Sequence, residues 1–288
     1  MSRVIFALMW VAHFLPSSVL ALIGDAVGLL LFWLIPERRQ VTRVNLEKCF
    51  PAMPAADREA LARAHFRAFG RSFVDRAILW WSPRARIERL VRIDGLEHLR
   101  ALGGAPAILF VPHFLGLDAG ASRLTCEVNM TGMYARQKDV KFAELLERGR
   151  SRFGDQRTFS RQEGIRPMLG LIREGRPLYY LPDQDYGPRD SIFVPFFGIP
   201  TATVPGLSRI ARVAGAKVLP CVTRLLPGGE GYVLRIEPPW DNFPTADMAA
   251  DTRRMNEYIE RRISEMPEQY LWMHKRFKTR PPGEPGFY

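Results

Sequence analysis

The chain has 288 residues, 47% hydrophobic and 25% charged, which supplies apolar material for one large α/β core and excludes disorder as its main state. Lys and Arg outnumber Asp and Glu by 41 to 30, and the formal charge of +11 suits polyanionic partners: anionic headgroups, acidic carrier proteins or phosphorylated substrates. No nucleic-acid-binding module or aromatic-interleaved basic patch is visible, so no nucleic acid is expected as partner; three widely spaced cysteines without CxxC argue against disulfides and structural zinc and predict a reducing compartment.

Residues Val4 to Ile35 are almost entirely apolar, broken only by His13, Pro16, Ser17, Ser18 and Asp25. The stretch is too long for the apolar region of a signal peptide and ends in Pro36-Glu37-Arg38-Arg39 with no small-residue cleavage pattern, so retention is expected. Ser17 to Ile35 approaches the roughly 20 residues that span a bilayer, while Pro16 equally allows a helical hairpin dipping into one leaflet; a buried core helix pair is the plain alternative. Residues 1–36 are therefore expected as a membrane-anchoring segment and 37–288 as the catalytic α/β domain. Arg38, Arg39, Arg43 and Lys48 follow the apolar stretch and only Arg3 precedes it, which places that domain on the cytoplasmic side.

Ala55 to Phe73 carries apolar residues at helical spacing, and Pro83 ends its continuation through Trp80-Trp81, a pair that is either core or, slightly favoured, a membrane-interface anchor. Beyond it, Val91 to Leu96, Ala107 to Val111, Met130 to Ala135 and Pro177 to Leu181 read as strands, with Phe142 to Ser151 and Ile165 to Arg173 as helices. Val204 to Ala214 and Met248 to Met266 read as helices flanking strands at Ala216 to Thr223 and Tyr232 to Ile236. This alternation predicts an α/β fold, a mainly parallel central sheet flanked by helices.

Two loops carry chemistry. Val111-Pro-His113-Phe-Leu-Gly-Leu-Asp118 places a histidine where an apolar strand ends and a carboxylate five residues on, a position where α/β sheets put their sites. If Gly116 lets the chain turn, Asp118 accepts Nδ1–H of His113 and leaves Nε2 as a general base for a hydroxyl; otherwise the pair is a strand-end histidine with a nearby cap. Leu181-Pro-Asp183-Gln-Asp185-Tyr186-Gly-Pro-Arg189 follows another strand, and its carboxylates suit positioning better than metal, since no His or Cys accompanies them; a solvated turn is the plain alternative. Ile192 to Gly198 is apolar enough to line an acyl pocket or to be ordinary core. Arg136, Arg150 and Arg161, near predicted element ends, are candidates for holding phosphate or carboxylate. The G-x-S-x-G elbow, P-loop, H-E-x-x-H and strand-linked G-x-G-x-x-G signatures are absent.

Together, His113-Phe-Leu-Gly-Leu-Asp118, Tyr134-x-Arg136, Asp183-Gln-Asp185-Tyr-Gly-Pro-Arg189, Val194-Pro-Phe-Phe197 and Pro267-Glu-Gln-Tyr-Leu-Trp-Met-His-Lys-Arg-Phe-Lys-Thr-Arg280 resemble the bacterial lipid A lauroyl/myristoyl acyltransferases of the lysophospholipid acyltransferase superfamily. Many members have Glu where this chain has Asp118. The resemblance implies a glycerolipid-acyltransferase-like fold and an inner-membrane enzyme that takes a fatty acyl group from acyl carrier protein. Its acceptor would be a hydroxyl of an acyl chain on a Kdo-bearing, phosphorylated lipid A precursor, with His113 as base, Asp118 as its partner, and Arg136 on acceptor phosphate or the oxyanion. Asp183 and Asp185 would shape the site, with Tyr186 and Arg189 beside them, and no metal or other cofactor is implied. Another lysolipid acceptor, such as lysophosphatidic acid or an ornithine lipid, and a non-catalytic binder of anionic membranes are the alternatives. The basic run His274 to Arg280 is expected to touch headgroups or carrier protein, or to be a solvated tail.

Overall fold

A computed structural model describes residues 2–134, 144, 148–149, 151–160 and 164–288. It begins with α1 (Ser2–Ala12) and α2 (Ser17–Leu34), separated at Pro16, which cannot continue a helix interior. Pro36 then opens α3 (Pro36–Cys49) at its first turn, where the missing N–H costs nothing, and α4 (Ala55–Val74) follows. Short helices α5 (Arg76–Trp81), α6 (Arg84–Leu90) and α7 (Leu96–Arg100) lead into and around the sheet.

Among the described residues the main sheet has seven strands. They are β1 (Val91–Asp94), β2 (Ala107–Phe110), β3 (Thr131–Tyr134), β4 (Arg157–Ser160), β5 (Leu178–Tyr180), β8 (Lys217–Leu225) and β9 (Tyr232–Ile236), in the order β1-β9-β8-β2-β5-β3-β4. Every pairing is parallel except β8 with β9, so the fold is a mixed, mostly parallel α/β sheet. All four residues of β2 are buried, as befits a central strand covered on both faces. The helices that cover it include α8 (Leu117–Leu124), α9 (Arg166–Arg173), α10 (Gly206–Ala214) and α11 (Met248–Glu265). The strand and helix positions read from the sequence are met within a few residues, apart from Phe142 to Ser151, most of which lies outside the described residues.

For other segments the structure decides between roles that the sequence left open. Ile192 to Gly198 belongs to an antiparallel hairpin, β6 (Ile192–Phe196) with β7 (Ile199–Thr203), whose Val194 and Phe196 are core. Trp80 is also buried in the core, against the expected interface role. The basic C-terminal run is not a solvated tail: Trp272, Arg276 and Phe277 are almost fully buried, because the segment runs beside the β2 loop rather than over the surface.

α2 and α4 lie antiparallel and unusually close. Gly24 sits on Arg71, Gly28 on Phe66 and Arg67, and Gly70 on both glycines, so that a Cβ at any of the three would strike backbone. Beyond them the Phe32 and Phe66 rings meet edge to face at 5.2 Å, and Arg71 clasps Asp25 through Nε and Nη2. Away from this contact, α1, α2 and the turn between them expose Leu8, Trp10, Phe14, Leu22, Leu30 and Trp33. α2 is long and apolar enough to cross a membrane.

Candidate active site

The parallel register of β2 and β5, Phe110 opposite Tyr180, brings the loops that follow these two strands side by side at one sheet edge. His113 projects from the first loop and Asp183 from the second. His113 Nδ1 lies 2.6 Å from Asp183 Oδ1, and the His113 backbone N–H donates to Oδ2 at 2.9 Å. Asp183 is almost fully buried. Burial works to raise its pKa, but the charge and two hydrogen bonds of His113, with the nearby Arg276 guanidinium, outweigh that and hold the carboxyl below its ordinary value. An ionised carboxylate only accepts, so Nδ1 carries the ring proton and Nε2 is the nitrogen left for a substrate.

This corrects the expected pairing of His113 with Asp118. Asp118 stands in the first turn of α8 and instead binds Arg76, whose Nε and Nη2 reach Oδ2 at 3.0 and 2.8 Å. Gly116 does not serve as a special turn either. Its backbone is ordinary right-handed (φ −77°, ψ 0°), and glycine is needed there because a Cβ would come within 2.7 Å of the Thr223 carbonyl on β8.

The pieces of the DQD loop separate in space. Gln184 and Tyr186 line the groove, whereas Asp185 turns inward and fastens the C-terminal segment, accepting from Thr279 N at 2.6 Å, Thr279 Oγ1 at 2.9 Å and Gly187 N at 2.8 Å. Its own N–H donates to His274 Nε2 at 3.1 Å. The His274 imidazole is therefore neutral, and burial first, then the charges of His113 and Arg276, bring its pKa down to about 4. Arg189 is almost wholly exposed and lies off the groove. Arg136, Arg150 and Arg161 lie outside the described residues. Arg76 and Arg209, which the sequence did not single out, do line the groove. Neither sits in a motif, and only the packing of α5 and α10 against the site reveals them.

The groove holds about 810 Å³ and runs from His113, Asp118 and Arg76 to apolar walls that include Phe69, Met130, Met133 and Ile210. Sites for small ligands usually span roughly 300–1,000 Å³, with apolar walls and few polar groups. In its neutral form, an imidazole held by a buried carboxylate at such a groove can deprotonate a hydroxyl whose apolar remainder lies along the walls.

An α/β protein with this groove fits transfer chemistry on lipid-like molecules, and comparison with known proteins narrows the class. Residues 3–279 match the family model of bacterial lipid A biosynthesis acyltransferases. The chain is 34% identical to the lipid A biosynthesis lauroyltransferase of Escherichia coli K12 over 97% of its own length and 92% of the relative's. It is 31% identical to the palmitoleoyltransferase of the same strain over the same shares, and 34% identical to the myristoyltransferase over 85% and 77%. The protein belongs to the bacterial lipid A biosynthesis acyltransferase family.

Proposed function

We propose that the protein transfers a fatty acyl group from the thioester of acyl carrier protein to a hydroxyl of an acyl chain on a Kdo-bearing lipid A precursor. The observation that carries the mechanism is the short Nδ1 contact between His113 and Asp183 at the groove head. His113 Nε2 takes the hydroxyl proton as the oxygen attacks the thioester carbonyl. Collapse of the tetrahedral intermediate breaks the C–S bond, and the imidazolium returns its proton to the departing thiolate. A thioester is already activated, so proximity, deprotonation and charge stabilisation suffice. In this reading Asp183 orients the base. Asp118 acts through Arg76, fixing a guanidinium that faces developing negative charge or acceptor phosphate. The three relatives are named for three different acyl groups at similar identity, so resemblance does not select the acyl chain of this enzyme.

The protein works at the cytoplasmic face of the anionic inner membrane, with α1 and α2 lying in one leaflet. The packing of α2 supports this placement over a crossing. Any tilt of α2 through the bilayer would carry Arg63, Arg67 and Arg71 of α4 with it, and each charge at the hydrocarbon centre costs at least about 2.5 kcal/mol. The exposed apolar face instead suits shallow burial, with Trp10 and Trp33 on it.

The decisive experiment incubates purified protein with acyl carrier protein thioesters of defined length and a Kdo-bearing precursor, and reads the products by mass spectrometry. A mass gain of one acyl group, abolished in His113→Ala, is expected. Transfer only to lysophosphatidic acid or an ornithine lipid would replace the acceptor, and an unchanged rate in His113→Ala would end the catalytic reading.

A further inference from the structure

The C-terminal segment runs antiparallel to the loop that carries His113. After the short turn at Pro267–Gln269, Tyr270 pairs with Phe114 in an antiparallel bridge. Leu115 N–H donates to the Gln269 carbonyl at 2.8 Å, and Leu271 N–H to the His113 carbonyl at 3.0 Å. Gln269 is itself pinned to β8, its amide bridging Leu225 N and O at 2.7 and 3.0 Å. The backbone of the histidine loop and that of residues 269–271 are thus held as one unit.

From this segment the buried Tyr270 hydroxyl donates to Asp183 Oδ2 at 3.1 Å. The ring cannot swing away, because Phe114, Trp272 and Phe196 surround it at centroid distances of 5.6, 5.0 and 6.1 Å. Asp183 therefore has a full set of donors: the His113 N–H and the Tyr270 hydroxyl on one oxygen, and Nδ1 on the other. Rotation of the carboxylate would break the first two bonds in a place from which water is excluded.

We infer that Tyr270 is a positioning residue for acyl transfer: its hydroxyl locks Asp183 so that Oδ1 faces His113 Nδ1, and draws charge from the carboxylate to set the basicity of the imidazole. This rests on the His113–Asp183 reading above. The ionisable groups facing Asp183 are His113 from the β2 loop, and Tyr270, His274 and Arg276 from the C-terminal segment, with Cys49 of α3 beyond Tyr270. Burial and the neighbouring carboxylate push the Tyr270 phenol well above its ordinary pKa, so it remains a donor at every working pH.

The test compares kcat/KM against pH for wild type, Tyr270→Phe, Asp183→Asn and the double variant, in full-length protein with the substrates named above. Tyr270→Phe should lose about tenfold in rate. Its acidic limb should move to higher pH, since a carboxylate freed of one donor holds the imidazolium proton more tightly. Adding Tyr270→Phe to Asp183→Asn should cost nothing further, because the phenol acts through that carboxylate. Should Tyr270→Phe fail to fold, 3-fluorotyrosine at position 270 keeps the shape, strengthens the donor, and should move the limb to lower pH. A limb that stays in place in both replacements, or losses that multiply in the double variant, would overturn the inference. A wild-type rate in Asp183→Asn would overturn the dyad itself instead, so the two failures are distinguishable.

Discussion

Replacing Asp183 by Asn removes one acceptor from a carboxylate that serves three donors, and the geometry dictates how the amide must settle. With its oxygen at the Oδ2 position the amide keeps the His113 N–H and the Tyr270 hydroxyl, and its NH2 then faces Nδ1. With its oxygen at Oδ1 the NH2 meets the His113 N–H, a buried donor against a donor, at a cost of about 1–3 kcal/mol. The first arrangement wins. Nδ1 must then accept, the proton moves to Nε2, and the base is lost. In a triad where the same change forces the wrong tautomer, the rate falls about 10⁴-fold, or about 5 kcal/mol of barrier. We expect a loss of about 10³–10⁴-fold in acyl transfer for Asp183→Asn with near-native thermal unfolding. Asp118→Asn weakens the hold on Arg76, leaves the His113–Asp183 contact in place and should fall about tenfold. Initial rates of both purified variants decide the matter: Asp183→Asn within tenfold of wild type, or Asp118→Asn as damaged as Asp183→Asn, would refute the assignment.

Gly70→Ala pushes a methyl into the backbone of α2 and should destabilise the protein by about 1–3 kcal/mol, whereas Gly170→Ala on α9, with open space around it, should stabilise by about 0.5–1 kcal/mol; urea unfolding in mild detergent checks both. Leu22→Asp with Leu30→Asp, on the exposed face of α2, should abolish co-sedimentation with anionic vesicles while leaving the unfolding midpoint within a few degrees. Burial holds His65 at a pKa of about 4, and His274 likewise falls to about 4. Both lie below the unfolded value near 6.5, so the unfolded chain binds protons first. Stability should drop as pH falls from about 6.5 towards 4, by about 2 kcal/mol per histidine at pH 5. Burial raises Asp75 to about 6, which opposes that trend above pH 4, so Asp75→Asn should steepen the loss between pH 7 and 5; an unchanged slope would refute this.

Periodicity identified α4, α9, α10, α11 and the central strands because their apolar faces repeat in sequence as they do in space, and it left α3, α6 and α7 unread. The hairpin at Ile192–Thr203 escaped, since a short apolar run looks the same whether it lines a groove or fills a core. His113 was legible from its place at a strand end, and Asp183 from its place at another. Their pairing was not, because neighbours in sequence favour Asp118, while strand order alone puts β2 beside β5 and brings together residues 70 apart. Tyr270 and Arg276 were hidden by their company. A run of Lys, Arg and His reads as solvated, and nothing local says that Gln269, Asn45 and Asp185 will bond it into the core.

One helix joins the two halves of the proposed function. α4 presents Phe69 and Ser72 to the groove, while Gly70 and Arg71, the residues between them, grip α2. Adjacent positions on a helix point about 100° apart, so a 20-residue segment can serve the two faces without distortion. The chain continues directly from α4 into Asp75, bonded to Tyr232 of β9, and Arg76, bonded to Asp118. The apolar face of α2 and the head of the groove are thus fixed to a common strut at both ends. With α2 seated in the lipid, an acceptor held by its own acyl chains in the same leaflet would reach the groove without any element of the core having to unpack. In the proposed membrane-seated reading, the glycine contact between α2 and α4 would serve substrate delivery as well as stability.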